Sequence, residues 1–290
     1  MPELPEVEVV KQSLEKKITN LTIEKVKIND GKLRYKLNRH KILKIVGKKI
    51  NKIQRRSKFL IFSIGKDLIM LVHLGMTGKF YFANKKNKKF KTSFYYNIHK
   101  ERDDKYNRVI FFLQNNQKLI YNDVRKFGFI KIEKTKHLFL NSHLIKLGPE
   151  PLSPRFNVKY FKSKIKRKKI FLKDLLMNQK FVAGLGNIYV NEVIFLSRLN
   201  PKKKVCDLSA KNISDLIRNI KKVLKKAIKE GGSSIKDFIG TKGENGNFQQ
   251  FFNVYGKKDE NCNRINCNGK IKKLQISNRS TFFCNSCQKL

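Results

Sequence analysis

Four cysteines crowd the C-terminal end of the chain, at Cys262, Cys267, Cys284 and Cys287. Two close pairs separated by a hairpin-length spacer can set four thiolates tetrahedrally around Zn²⁺. Four thiolates leave no open position, so the ion would be structural and would hold a hairpin too small to fold alone. The spacer contains QISNRSTFF, which points Arg279 out of a rigid turn. An arginine there is either solvated or a phosphate contact, and a strongly basic chain favours phosphate. A second constellation is AGLGNIY at 183–189, two glycines just before a helix. A helix N-terminus exposes unpaired N–H groups, glycine lets a phosphate approach them, and Asn187 adds a donor. The same glycines also suit a close helix–helix turn, but KIKRKK (164–169) just upstream makes the stretch an anchoring point for a DNA backbone. A third is the opening MPELPEVEVV, where Pro2 and Pro5 fix the backbone around Glu3. That arrangement is either a rigid cap or a means of holding one atom still.

The elements that must position these residues fall into two halves. From Pro5 onward, Val7, Val10, Leu14 and Ile18 recur at helical spacing. Eight strand-like runs follow, at 23–28, 42–53, 58–64, 67–74, 79–83, 108–113, 118–123 and 127–132, with IGKD and QNNQ as hairpin turns. One helix and eight short strands indicate a β-sandwich or flattened barrel. LGPEPLSP (147–154) then breaks the pattern, and helices follow. The clearest spans 210–230, with Ser209 as N-cap and Gly231-Gly232 as its end, while 171–199 reads as helix, tight glycine turn, helix.

Composition narrows the partner. The chain has 290 residues, 66 Lys+Arg against 22 Asp+Glu, and a formal net charge of +44. Compositional drift explains part of the lysine count but not its placement, and a polyanion, nucleic acid first, is the expected partner. No apolar run reaches membrane-spanning length, and charges at positions 3, 6 and 8 stand where a signal peptide needs apolar residues. A cytoplasmic protein with a reduced metal site is expected, with Cys206 as a buried small hydrophobe.

Taken in order, PELPEVE, HLGMTGK (73–79), NDVRKFG (122–128), LGPEPL (147–152), AGLGNIY, FQQFFNVYG (248–256) and the four-cysteine hairpin with RSTFFC resemble the formamidopyrimidine-DNA glycosylase family, bacterial enzymes that remove oxidised purines. Leu4 stands where the related endonuclease VIII group usually has Gly. The resemblance implies an α+β multidomain fold. Residues 1–134 would form a catalytic β-sandwich with a leading helix, 135–154 a linker, 155–240 a helix-two-turn-helix domain, 241–254 a lesion-covering region and 255–290 a zinc-finger hairpin, with DNA between the domains.

It also implies roles. Met1 would be removed and the freed secondary amine of Pro2 would attack C1′ of the damaged nucleotide. An α-amine titrates near 7.7–8, against about 10.4 for lysine, so far more of it is free base at neutral pH. Glu3 would move protons at the sugar, Lys58 would assist β-elimination, and Arg279 would serve δ-elimination and phosphate binding. For Glu6, capping, a water network and chemistry all stay open. Met76, Arg125 and Phe127 would fill the gap left by the everted base, though on pattern alone Met76 and Phe127 read equally as core. Lys169 and Asn187 would contact the DNA backbone, with Tyr106 where many members have His. One structural Zn²⁺, no organic cofactor, double-stranded DNA with oxidised bases or abasic sites as partner, and a monomer complete the expectation.

The chain departs from the family pattern in places. The first cysteine pair is spaced x4 where x2 is usual; Val124 replaces Pro and Lys126 replaces Arg; and Ser277-Asn278 replaces a Gly-Gly turn less hindered at positive φ. Two other functions fit the same residues, an endonuclease VIII-like glycosylase for oxidised pyrimidines and a non-catalytic zinc-containing DNA-binding protein.

Overall fold

The computed structural model describes residues 1–83, 89–91, 104–233 and 247–290. The chain divides into two compact units, Met1–Ile145 with Glu230–Asn247, and Lys146–Lys229 with Phe248–Leu290.

The first unit opens with helix α1 (Leu4–Ile18), whose Val7, Val10, Leu14 and Ile18 are buried in one core. Strands β1 (Ile23–Ile28), β7 (Asn107–Leu113), β8 (Gln117–Asn122), β5 (Lys79–Ala83) and β6 (Lys89–Lys91) form one antiparallel sheet in that order. Strands β2 (Ile50–Arg56), β3 (Phe59–Ile64), β4 (Leu68–His73) and β9 (Phe129–Lys134) form the other. Alternate residues of both sheets point inward: Leu60, Phe62, Met70, Val72, Ile130 and Ile132 share a core with Phe80, Phe82, Phe111 and Tyr121. This is the two-sheet core that period-2 alternation calls for. The QNNQ turn follows the hairpin rule, with Asn115 and Asn116 both at positive φ (63° and 54°).

One expected strand is shorter than its apolar run. Residues 42–53 split into the end of a short helix, α2 (Arg39–Leu43), and β2, which starts only at Ile50. The Asn38 side chain accepts from the Lys41 N–H and caps α2, and Gly47 at φ 75° turns the chain before β2. Local hydrogen bonding there outweighs the β-propensity of Ile42, Ile45 and Val46.

The second unit holds helices α3 (Val158–Ile165), α4 (Leu172–Met177), α5 (Asn187–Leu196) and α6 (Ala210–Lys229), followed by a hairpin of β10 (Ile271–Ile276) and β11 (Arg279–Cys284). Ser209 and Asn212 exchange side chain-to-backbone hydrogen bonds at the start of α6, the expected cap. The α5 helix is apolar on nearly every side and buried from Ile188 to Phe195. Its one buried carboxylate, Glu192, accepts from the backbone N–H groups of Asn253, Val254 and Tyr255 and so fastens the NVYG segment. Cys206 corrects the sequence reading. It is exposed, because in the 3-10 turn Val205–Asp207 it is Val205 that packs inward. No helix among the described residues is long and apolar enough to cross a membrane.

Candidate functional site

The sequence-derived residues divide between the units. Pro2, Glu3, Lys58, Met76, Tyr106, Arg125 and Phe127 lie in the first; Lys169, Asn187, Arg279 and the four cysteines lie in the second.

In the first unit, Met1 is exposed whereas Pro2 and Glu3 are buried. Glu3 is the N-cap of α1, and its N–H donates to Glu6 Oε2 at 2.8 Å. The other Glu6 oxygen, Oε1, accepts from the N–H of Ser233 at 2.9 Å and from its hydroxyl at 3.0 Å. Glu6 thus closes the capping box of α1 with one carboxylate oxygen and ties the chain start to Ser233 with the other. The amine that begins the chain is held below its ordinary range. Burial is the main cause; Lys58 and Arg125 act in the same direction, and Glu3 and Glu6 oppose it. Four named side chains thus reach this amine electrostatically. Lys58 is itself buried, in the turn between β2 and β3.

Met76 and Arg125–Phe127 sit on two turns that touch through their backbones. A Cβ on Gly75 would fall 2.4 Å from the Phe127 carbonyl carbon, and Gly75 has φ 64°, so only glycine fits. The Thr77 hydroxyl links the turns by donating to Asp123 and accepting from the Arg125 N–H at 3.0 Å. Asp123, fully buried, also accepts from the Gly128 N–H. On this scaffold Met76 is 37% exposed and Phe127 45% exposed, which rules out a core role for either. The Arg125 guanidinium lies 4.6 Å from the Phe127 ring centroid. Lys126, at φ 57°, pairs with Asp30 at 2.7 Å, and Arg108 reaches the same carboxylate at 3.0 Å. Tyr106 is half-buried beside Arg108, and its carbonyl accepts from the Asp123 N–H.

In the second unit, Asn187 opens α5 and donates to the Ser280 carbonyl at 3.0 Å, beside exposed Arg279. Its Oδ1 is buried without a hydrogen-bond partner. The buried Lys173 ammonium donates to the same carbonyl at 2.9 Å and to the Thr281 hydroxyl at 2.6 Å. Burial lowers the Lys173 pKa to about 8; Asp174 opposes the shift and Arg279 adds to it. Lys169 is exposed on the loop between α3 and α4. Ser277 and Asn278 adopt positive φ (47° and 58°), so the turn keeps the shape that glycines would give it. The four cysteine sulfurs lie within 4.8 Å of one another, with Cys267–Cys284 at 3.6 Å and Cys262–Cys287 at 3.9 Å. A tetrahedral Zn–S₄ centre needs sulfurs about 3.8 Å apart, so the donor set fits the ion despite the enlarged x4 knuckle.

Sequence reasoning missed Thr77, Asp123, His73 and Lys173. The first three lie inside quoted motifs and could have been singled out as polar residues on strand ends. Lys173 carries no signal, because a lysine on a short helix looks solvated until the fold buries it.

A family model described as the formamidopyrimidine-DNA glycosylase N-terminal domain matches residues 1–130, and the H2TH domain model of the same enzyme matches 147–239. The Rickettsia felis formamidopyrimidine-DNA glycosylase is 40% identical over 291 residues, covering 99% of this chain and 98% of the relative. The chain belongs to the formamidopyrimidine-DNA glycosylase family. The Rickettsia bellii glycosylase is likewise 40% identical, over the whole of both chains. Two solved structures are similar throughout: a mutant Lactococcus lactis glycosylase bound to Fapy-dG-containing DNA (TM-score 0.86, 35% identity, 100% of both chains), and the same organism's enzyme with abasic-site DNA (TM-score 0.85, 35% identity, 99% and 100%). Residues 240–246 of the loop that would cover a lesion in this family lie outside the described residues.

Proposed function

We propose that this chain removes oxidised purines, 8-oxoguanine and formamidopyrimidines, from duplex DNA and then cuts the strand at the resulting abasic site. The observation that carries the reading is the packing just behind Met1: Pro2, Glu3 and Lys58 are buried, and Glu3, Lys58 and Arg125 act electrostatically on the Met1 amine. Removal of Met1 frees the nitrogen of Pro2, itself a buried residue.

The Pro2 lone pair then forms a bond to C1′ as the glycosidic C–N bond breaks and the base departs with a proton. Glu3 supplies the proton that opens the sugar at its ring oxygen. The resulting iminium is positive without an extra proton and draws electrons from C2′. Loss of a C2′ proton, assisted by Lys58, expels the 3′ phosphate; a second elimination, served by Arg279, expels the 5′ phosphate. Met76, Arg125 and Phe127 occupy the space left by the everted nucleotide, and Arg125 hydrogen-bonds the orphaned base. Lys169, Asn187 and Tyr106 hold backbone phosphates. Cys262, Cys267, Cys284 and Cys287 hold one Zn²⁺, which supplies only rigidity to the hairpin that carries Arg279. The protein works as a cytoplasmic monomer.

Borohydride trapping on duplex DNA carrying 8-oxoguanine opposite cytosine tests the reading. The expected result is a covalent adduct through the N-terminal nitrogen of protein lacking Met1, lost in Pro2→Gly. Wild-type Lactococcus lactis glycosylase also has a structure with oxidised-pyrimidine DNA, so such a lesion belongs in the panel. An adduct with pyrimidine lesions alone favours an endonuclease VIII-like activity. No adduct with any lesion leaves a DNA-binding protein without catalysis.

A further inference from the structure

The outer face of the second sheet carries a row of rings that the proposed reaction does not use. Phe59, His73 and Phe129 are cross-strand partners on β3, β4 and β9. Their ring centroids lie 5.0 Å (Phe59–His73) and 5.7 Å (His73–Phe129) apart, the second pair stacked. Tyr35 and His143 close the row, 5.3 Å and 4.8 Å from Phe129 and 5.7 Å from each other. Lys131, on the same face of β9, places its ammonium 4.5 Å from the Tyr35 ring centroid and 3.2 Å from His143 Nε2. Phe129 is buried beneath, Phe59 and His143 are half-buried, and Tyr35 and Arg34 are exposed.

Much of this outer face is covered, with Ile61, Ile69, Leu71 and Phe129 buried, but at its rim Tyr35 is exposed and Phe59, His73 and His143 are half-buried, beside Arg34 and Lys131. The field there is positive. His143 is held below its ordinary pKa by burial, then by Lys131 and Arg34, with Glu133 opposing. Glu133 already accepts from the Asn141 amide. An occupant must therefore bring negative charge and flat apolar surface together, as a nucleotide does. An acidic peptide answers the charge but leaves the rings unmatched. A blunt duplex answers the charge with its bases hidden in the stack.

We propose that the Tyr35–His143 face binds a single-stranded DNA segment, with a base against Tyr35 and His143 and its phosphate between Arg34 and Lys131. Phe59 follows Lys58 directly in the chain, so the segment would adjoin the damaged nucleotide. That adjacency rests on the proposed glycosylase role of Lys58; the binding itself does not.

The test compares full-length, zinc-loaded wild type with Tyr35→Ala, Tyr35→Phe and, as a control on α6, Lys222→Ala. Fluorescence anisotropy at about 0.5 M salt, where phosphate attraction is largely screened, follows labelled dT12 and a duplex with a short single-stranded tail. Tyr35→Ala should weaken both by about ten-fold and leave blunt duplex unchanged, while Tyr35→Phe and Lys222→Ala match wild type. A 5-iododeoxyuridine in the tail should cross-link to Tyr35. Equal affinity of wild type and Tyr35→Ala for tailed DNA overturns the proposal, as does competition by a polyglutamate peptide as strong as that by dT12. Lesion trapping is measured on the same proteins: normal trapping without a tail effect sinks the ring face alone, and a tail effect without trapping sinks the glycosylase reading alone.

Discussion

His73 shows how a single ring can limit the pH range of the fold. Its Nδ1 accepts from the Gly75 N–H at 3.1 Å, which leaves the proton on Nε2, and the half-buried ring is held in the neutral form. Burial, then Lys58, Arg34 and His143, lower its pKa to about 4 from an ordinary 6.5. Between these values the unfolded chain binds the proton and the folded one does not, so stability is full above pH 6.5 and falls as pH drops towards 4. The loss approaches about 3 kcal/mol. Thermal unfolding across pH 4–7 should show it, and His73→Gln should flatten the dependence. The histidine is plain in HLGMTGK, but its neutrality is not, because the packing that desolvates it and the side chains of Lys58, Arg34 and His143 that act with it come from other parts of the chain. Glu6 makes the same point: its sequence position suits a cap, and only the fold brings Ser233 to its second oxygen.

At the level of elements, the turns bearing Met76 and Phe127 are held by a few side-chain contacts. Val124 and Lys126 depart from the family pattern, and Lys126 pairs with Asp30, whose carboxyl is held below its usual range first by that hydrogen bond. Asp30→Asn should cost less than about 1 kcal/mol of global stability, as half-exposed pairs do. It should still slow lesion trapping several-fold while duplex affinity stays near wild type, because only the turn is loosened. Equal trapping rates would show that Asp30 does not steady the turn. In the hairpin, Cys284→Ser should abolish stoichiometric zinc and weaken duplex binding together, measured by metal analysis and anisotropy. Retained affinity in the metal-free variant would remove the hairpin from the DNA interface. Hairpins, helices and the cysteine set were legible because each obeys a local rule of period, turn or spacing. The split of residues 42–53 was not, since a side-chain cap at Asn38 competes there with an apolar run that reads as strand.

For the molecule as a whole, 66 basic side chains against 22 acidic ones make association a matter of ion release. With six or more phosphates neutralised, affinity for undamaged duplex should drop about a thousand-fold or more from ~50 to ~200 mM salt. A shallow salt slope would mean that most of the lysines stand away from the DNA. Composition announced a polyanion at once. What it could not supply is which lysines matter, since burying Lys58 and Lys173 while leaving dozens solvated is decided by packing between distant segments.

The packed chain start also has a practical reading for anyone producing the protein. Pro2 and Glu3 have no room around them, whereas Leu290 is 81% exposed. A purification handle fused ahead of Pro2 would turn the nitrogen proposed as nucleophile into an ordinary peptide link and crowd the residues behind it. Such a fusion should retain DNA affinity yet nick nothing until a protease trims it back to proline, while the same handle after Leu290 should be harmless.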